Sequence, residues 1–357
     1  MRYLLLLSLF VLILSCKTKT ILPPDINTTE DSTVLYVGQN LPIKQNLTTI
    51  ALGSCNKHYE DQDIWPIIST HSPQLWLWLG DNIYSDTEDM EEHKAAYLQQ
   101  KHNGVYKKFR QQTPVIGIWD DHDYGVNDGD KNYPKRKESK TLMMDFLDVP
   151  KDAAFRSQVG AYQSYVFGEA GKRVKFILLD ARYFRDELEK NPTGETRYLP
   201  NLEGDILGEE QWEWLSEELE KNDAQIHIIA CGIQFIPEEQ IFEKWANFPT
   251  ARQRFFDLIV AKNPSNVLLL SGDRHITEFS ELEIEGFSYP IPELTCSALN
   301  NAYTNFTGET NSHRVGEVIF ERNFGLLKIN WENPKPELSI EIRNLANELV
   351  LEQEVKW

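Results

Sequence analysis

Positive charge is scarce in this chain. Lys and Arg number 36 against 55 Asp and Glu, and the formal net charge is −19. Proteins that grip nucleic acid or anionic lipid do so with clustered Lys and Arg, so this balance argues against such partners. A small phosphate ester is not, because a bound cation sets the field inside a site whatever the global charge. Cysteine is scarce too, with only Cys16, Cys55, Cys231 and Cys296. No low-complexity tract or internal repeat is present, which excludes a repeat array. Long apolar runs are absent except at residues 1–15, MRYLLLLSLFVLILS, and that run is too short for a comfortable membrane span.

The run has one early Arg and reads as a secretory signal. Removing it leaves a net charge of −20. Ile13-Leu14-Ser15-Cys16 resembles a bacterial lipobox, which implies a lipid anchor on Cys16 and a place at the cell envelope, periplasmic or on the cell surface; the plainer alternative is an ordinary signal cleaved nearby. Residues 16–47 are polar and contain proline, and they read as a tether with at most one short strand. Residues 48–357 remain for one domain, expected to act as a monomer. With Cys16 lipidated, the three other thiols cannot all pair. Cys231 and Cys296 sit in apolar strand-like contexts and read as small buried residues.

Short, continuously apolar strands alternate with helical segments, the pattern of an α/β fold whose sheets are buried on both faces. Strands are expected at 48–53, 75–79, 115–119, 174–179, 226–233 and 266–270, with β structure dominating from 277 onward. Helices are expected at 61–70, at 91–112 with a break at Asn103-Gly104, at 209–219, and at 250–262 with Thr250 as cap.

The polar residues follow strand ends. TTIALG gives way to Ser54-Cys55-Asn56, LWLWLG to Asp81-Asn82-Ile83-Tyr84, and VIGIW to Asp120-Asp121-His122-Asp123. IHIIACGI gives way to Gln234 and NVLLLSG to Asp273-Arg274-His275. Ligands of layered α/β proteins bind outside the carboxyl ends of strands. Taken singly, a Gly-Asp after a strand is often a turn, and a lone Tyr is more often core. Three acids around His122 are not a satisfied apolar core. Crowded carboxylates repel unless cations lie between them. A mixture of thiolate, phenolate, carboxylate and imidazole suits iron, and an all-oxygen companion position suits Ca, Mg or Mn; zinc does not call for the phenolate. The remaining histidines, His58, His71, His93, His102, His227 and His313, receive no role.

GSCN at 53–56, GDNIY at 80–84, WDDHD at 119–123, LLDARYFR at 178–185, GIQF at 232–235 and SGDRH at 271–275 resemble the PhoD-like (alkaline phosphatase D) family of the calcineurin-like metallophosphoesterases. The resemblance implies a four-layer αββα sandwich and metal-dependent hydrolysis of phosphate monoesters or diesters, with Fe(III) and Ca or another oxygen-liganded divalent ion. It implies Cys55, Asp81, Tyr84 and His275 around iron, Asp81 bridging, and Asp121 and Asp273 on the second ion. His122 becomes the general acid, and Asn56 and Arg274 the substrate contacts. Gln234 falls where many relatives carry a metal-binding His, which disfavours a transition metal at the second position. The stretch 184–208 is this chain's own and reads as a lid. Alternatives left open are a phospholipid or cell-wall phosphodiesterase, a non-catalytic surface lipoprotein on the same fold, and a disulfide from Cys55 to Cys231 or Cys296.

Overall fold

The computed structural model describes residues 45–194 and 196–357. The signal, Cys16 and the tether up to residue 44 lie outside the described residues. In chain order the strands are β1 (Thr49–Gly53), β2 (Leu75–Leu79), β3 (Val115–Ile118), β4 (Gln163–Phe167), β5 (Val174–Leu178), β6 (Glu189–Lys190), β7 (Tyr198–Leu199) and β8 (Ile226–Ala230). They continue as β9 (Val267–Ser271), β10 (Thr277–Leu282), β11 (Ile291–Cys296), β12 (Arg314–Ile319), β13 (Asn323–Asn330), β14 (Glu337–Asn344) and β15 (Leu349–Val355). One sheet runs β15-β14-β13-β1-β2-β3 and the other β12-β10-β11-β9-β8-β5-β4, while β6 and β7 form a separate hairpin. Each sheet has a parallel centre, β1-β2-β3 in the first and β5-β8-β9-β11 in the second.

The side-chain alternation of a strand explains the layering. In β2, Trp76 and Trp78 face Trp65 of α1 (Ile64–Thr70), with ring centroids 4.8 and 5.3 Å away. Leu75, Leu77 and Leu79 point the other way. In the second sheet Phe176, Leu178, Ile228, Leu268 and Leu270 join the core shared with the first sheet. Their neighbours Ile177, Ile229 and Leu269 pack with Trp212 and Leu215 of a helix at Gly208–Glu220 and Phe255 and Ile259 of one at Pro249–Lys262. The order is helix, sheet, sheet, helix, the four-layer sandwich expected from the sequence.

The expected helix over 91–112 is two, Met90–His102 and Gly104–Arg110. Asn103 leaves helical geometry at ψ 129, and its side chain caps the second helix by accepting from Val105 N and Tyr106 N. Thr250 is not a cap: Phe248 holds that position, Pro249 opens the helix, and Thr250 Oγ1 donates to Leu202 O. The strand expected to reach Ile233 stops at Ala230, because the chain turns there toward the first sheet. Cys55, Cys231 and Cys296 are free thiols. None of the described helices is long and apolar enough to cross a membrane.

Two glycines let the sheets meet at their carboxyl ends. A Cβ on Gly272, just after β9, would lie 2.5 Å from Leu79 O and 2.7 Å from Ser54 Oγ. A Cβ on Gly232, after β8, would lie 2.0 Å from Asp120 Oδ1. Gly272→Ala is expected to destabilise the fold by about 1–3 kcal/mol through overpacking. Urea unfolding checks this; an unchanged midpoint would show that the sheets can part here without cost.

Candidate metal centre

The turns after β1, β2 and β9 carry non-glycine residues in the left-handed region. These are Cys55 at φ 61, Asp81 at φ 50, Asp273 at φ 67 and His275 at φ 56. Such conformations cost of order 1–3 kcal/mol each and persist only where the surroundings dictate them. Asp123 supplies much of that control. Its carboxylate accepts from Asp120 N at 2.7 Å, Asp81 N at 3.3 Å, Asn82 N at 3.1 Å and Asn82 Nδ2 at 2.6 Å, locking the ends of β2 and β3 together. Asn56 N donates to Asp81 O at 2.9 Å, and Asn301 N donates to Cys55 O at 3.1 Å.

The side chains so presented converge. One donor atom each from Cys55, Asp81 and His275 lies within 4.8 Å of the others. Tyr84 Oη lies 2.9 Å from Asp81 Oδ2 and 2.9 Å from His275 Nε2, and Cys55 Sγ lies 3.5 Å from Asp81 Oδ2. Asp81, Asp121 and His122 form a second group at the same spacing, and Asp120, Asp121 and Asp273 a third. Asp81 thus belongs to both halves of the pocket. His122 stacks on Tyr84 with centroids 4.1 Å apart, and its Nδ1 lies 2.7 Å from Asp86 Oδ2. All six residues expected to bind metal, and His122, therefore share one pocket.

The two expected substrate contacts are engaged otherwise. Asn56 is fully buried and its Nδ2 donates to Asn82 O at 3.0 Å. Arg274 donates from Nη2 to both oxygens of Glu309 at 2.7 and 2.8 Å and lies over the Phe242 ring at 4.3 Å. Gln234 directs its amide to Glu278 at 2.7 Å and Thr295 at 2.9 Å.

Five contributors were missed by sequence reasoning. Asp86 lies two residues past Tyr84 in the same turn, a signal that could have been followed. Asp128 donates from its backbone N to Asp121 Oδ2 at 2.7 Å and groups with Asp121 and Glu243 within 4.8 Å. Glu243 comes from an irregular segment with no periodicity to mark it. Arg182 is fully buried, donates from Nε to Asp120 Oδ1 at 2.7 Å and from Nη1 to Glu243 Oε2 at 2.6 Å. Asn301 Nδ2 lies 3.1 Å from His275 Nε2. The stretch 184–208 touches this margin, where Tyr198 Oη donates to Asp128 Oδ2.

Electrostatics test whether cations fit. Burial, then repulsion from Asp81 and Asp273, raises the Cys55 thiol well above its usual range. Burial likewise raises Asp81 and Asp120 well above theirs. It pushes Asp123 up to about 7, despite the backbone donors around it. Asp121 differs: burial opposes its ionisation, but Arg182, His122 and the Asp128 N–H bring it down to about 2. Burial, aided by His122, lowers His275 to about 4 and so keeps the imidazole neutral, as a ligand must be. Asp120 Oδ2 is buried without a hydrogen-bond partner among the described residues. Thiol, phenol, imidazole and crowded carboxyls, dry and unneutralised, fit metal ions.

A model of the PhoD-like phosphatase family matches residues 50–330. Alkaline phosphatase D of Bacillus subtilis is 23% identical over 297 residues, covering 70% of this chain and 48% of that protein. The chain thus spans about half the length of that curated relative. A solved structure of PhoD aligns over 90% of this chain and 73% of its own, at 19% identity and TM-score 0.65. A dimetal phosphatase from Danio rerio aligns over 88% of this chain and 100% of its own, at 12% identity and TM-score 0.55. At these identities the solved structures carry the fold alone.

Burial and the nearby Asp121 push the Asp273 carboxyl from 3.8 up to about 7. In metal-free protein it favours the fold while protonated, and that contribution is lost as pH rises from about 4 through about 7. Asp273→Asn removes the titration. Its melting temperature in chelator, minus that of the wild type, should climb across that window and turn negative once metal is added. A difference indifferent to pH would show that Asp273 is not crowded.

Proposed function

The chain belongs to the PhoD-like phosphatase family, and from that premise we propose that it is a metal-dependent phosphoester hydrolase acting at the cell envelope. The observation that carries the proposal is the convergence of Cys55, Tyr84 and His275 on one side of Asp81 and of Asp121 on the other, with Asp273 beside Asp121. We assign Fe(III) to the first group, whose thiol and phenol are donors for that ion. Calcium, or another oxygen-liganded divalent ion, belongs with Asp121 and Asp273, since Gln234 brings no imidazole to that side. Bound there, the ions would supply Lewis acidity to the phosphoryl group and activate a water nucleophile.

The protein's own groups do the remainder. His122 is the general acid, delivering a proton to the leaving oxygen. In the metal-free protein burial opposes its protonation, but the Asp81, Asp121 and Asp86 carboxylates outweigh burial and favour the protonated ring. Asp86 at Nδ1 leaves Nε2 as the nitrogen free to face substrate. Stacking on Tyr84 fixes the ring plane. Arg182 and Asp123 fix the loops that carry the carboxylates. The apolar run ending at Ser15-Cys16 supports export and a lipid anchor on Cys16.

Protein purified without chelator should contain iron and a second, oxygen-liganded metal by elemental analysis, and should hydrolyse p-nitrophenyl phosphate. A visible Fe(III)-phenolate absorption is expected and should vanish in Tyr84→Phe. A colourless, fully active enzyme containing only calcium or magnesium would overturn the iron assignment while leaving the hydrolase intact. His122→Ala is expected to lower kcat by about 10²- to 10⁴-fold with metal content unchanged. Asp86→Asn should lower kcat by up to about 100-fold by releasing the ring. Unaltered turnover in either variant would remove the acid from His122.

A further inference from the structure

The two side chains expected to meet substrate are engaged elsewhere, Asn56 with Asn82 O and Arg274 with Glu309. What converges around Asp81 is mostly acceptors, whereas a bound phosphoryl group needs donors. Asn301 brings one. Its chain is stitched to both flanking turns: Leu299 N donates to Ser54 O at 3.1 Å, Asn301 N to Cys55 O at 3.1 Å, and Tyr303 N to His275 O at 2.8 Å. Residues 299–303 thus bridge the turn after β1 and the turn after β9. The bridge carries the half-buried Asn301 side chain into the pocket, where Nδ2 lies 3.1 Å from His275 Nε2. Tyr84 Oη reaches the same nitrogen at 2.9 Å, but it donates its proton to Asp81 Oδ2, also at 2.9 Å. An imidazole nitrogen fit to hold a metal is unprotonated and offers a lone pair. In the metal-free protein the Asn301 amide donates to that lone pair.

We propose that Asn301 is a substrate-binding residue whose amide passes from His275 to a phosphoryl oxygen. This rests on the hydrolase reading, with His275 as a metal ligand, and adds a substrate contact to it. A lone pair given to an ion does not also accept a hydrogen bond. With His275 Nε2 committed, the Asn301 amide stands beside it without an acceptor, and a donor left so inside a protein is costly. The neighbouring carboxylates are the groups assigned to the ions. A phosphoryl oxygen drawn to those ions arrives with lone pairs to spare, and a hydrogen bond to a charged acceptor is among the strong ones. The amide is neutral, so it supplies the donor without competing with the ions for the pocket.

Metal-loaded wild type, Asn301→Leu and Asn301→Asp are compared on p-nitrophenyl phosphate. Calorimetric titration follows the binding of inorganic phosphate, and elemental analysis follows the metal. Both substitutions keep the backbone bond from residue 301 to Cys55. The first removes the donor; the second keeps the size but offers only a charged acceptor. In Asn301→Leu, kcat/KM and phosphate affinity should each fall about 10- to 100-fold, the weight of one hydrogen bond to a charged group, with bound metal unchanged. Asn301→Asp should fall at least as far. Unchanged kcat/KM and phosphate affinity in Asn301→Leu would overturn the proposal. So would metal lost from Asn301→Leu but kept, with activity, in Asn301→Asp, because the residue would then be a ligand through its oxygen. If Asn301→Leu does not fold, Asn301→Asp decides, and wild-type phosphate affinity there overturns the proposal as well. If the loaded wild type does not hydrolyse the ester, the hydrolase reading fails. Asn301 then stands if phosphate binds at least about tenfold more weakly to Asn301→Leu, and falls if the two bind alike or neither binds.

Discussion

Where β2, β3 and β9 end, Asp121 lies within 4.8 Å of Asp81 in one group and of Asp120 and Asp273 in another, and Cys55, Asp81, Asp273 and His275 hold left-handed backbone to keep them there. Neither feature is favourable by itself. Carboxylates in a dry pocket raise one another's proton affinity, and left-handed backbone is strained for any residue with a Cβ. Both persist because the sandwich around them is stiff. β2 is buried along its whole length by Trp65 on one side and the second sheet on the other, and Asp123 ties its end to that of β3 with four hydrogen bonds. The packing energy of two sheets is spent in part on holding charges where they repel.

The protein relieves that repulsion unevenly. Arg182, wholly buried, meets Asp120 and Glu243, and its field is the chief reason Asp121 ionises readily. Asp81 has only the His122 ring beside it to offset burial and its acidic neighbours, and both Asp81 and Cys55 stay well above their ordinary ranges. The pocket is therefore polarised, with compensation built in near Asp120 and demand left open near Asp81. Under the proposed function a cation from solution would satisfy that demand, and its binding free energy would become folding free energy for the pocket.

Much of this was legible in the sequence because strand ends announce themselves. LWLWL followed by Gly80-Asp81, and VIGIW followed by an acidic run, mark where an apolar strand leaves the core. The fold class followed from continuous apolar strands. Harder to see was anything that depends on distant segments meeting. Glu243 and Asn301 lie in irregular stretches without period or motif, yet stand against Arg182 and His275. Arg274 sits beside Asp273 in sequence, but Glu309, 35 residues on, claims its guanidinium. Asn56, beside Cys55, turns its amide inward to carry the Asp81-Asn82 turn. Sequence adjacency placed residues on the right loops and could not say which way each side chain faces.

The site also explains why the fold needs both sheets. Cys55, Asp81, Tyr84 and Asp121 follow strands of the first sheet, and Asp273 and His275 follow β9 of the second. Neither sheet carries all the ligands proposed for either ion. Gly272 and Gly232 lack side chains at the two places where the sheets' ends would otherwise collide, so the donors can close to within 4.8 Å. The same seam is tied further out, where the backbone of Lys57, after β1 of the first sheet, exchanges two hydrogen bonds with Asn300, after β11 of the second. Any opening of the sandwich at this end would separate these side chains from one another. The chemistry and the seam between the sheets therefore stand or fall on the same few contacts.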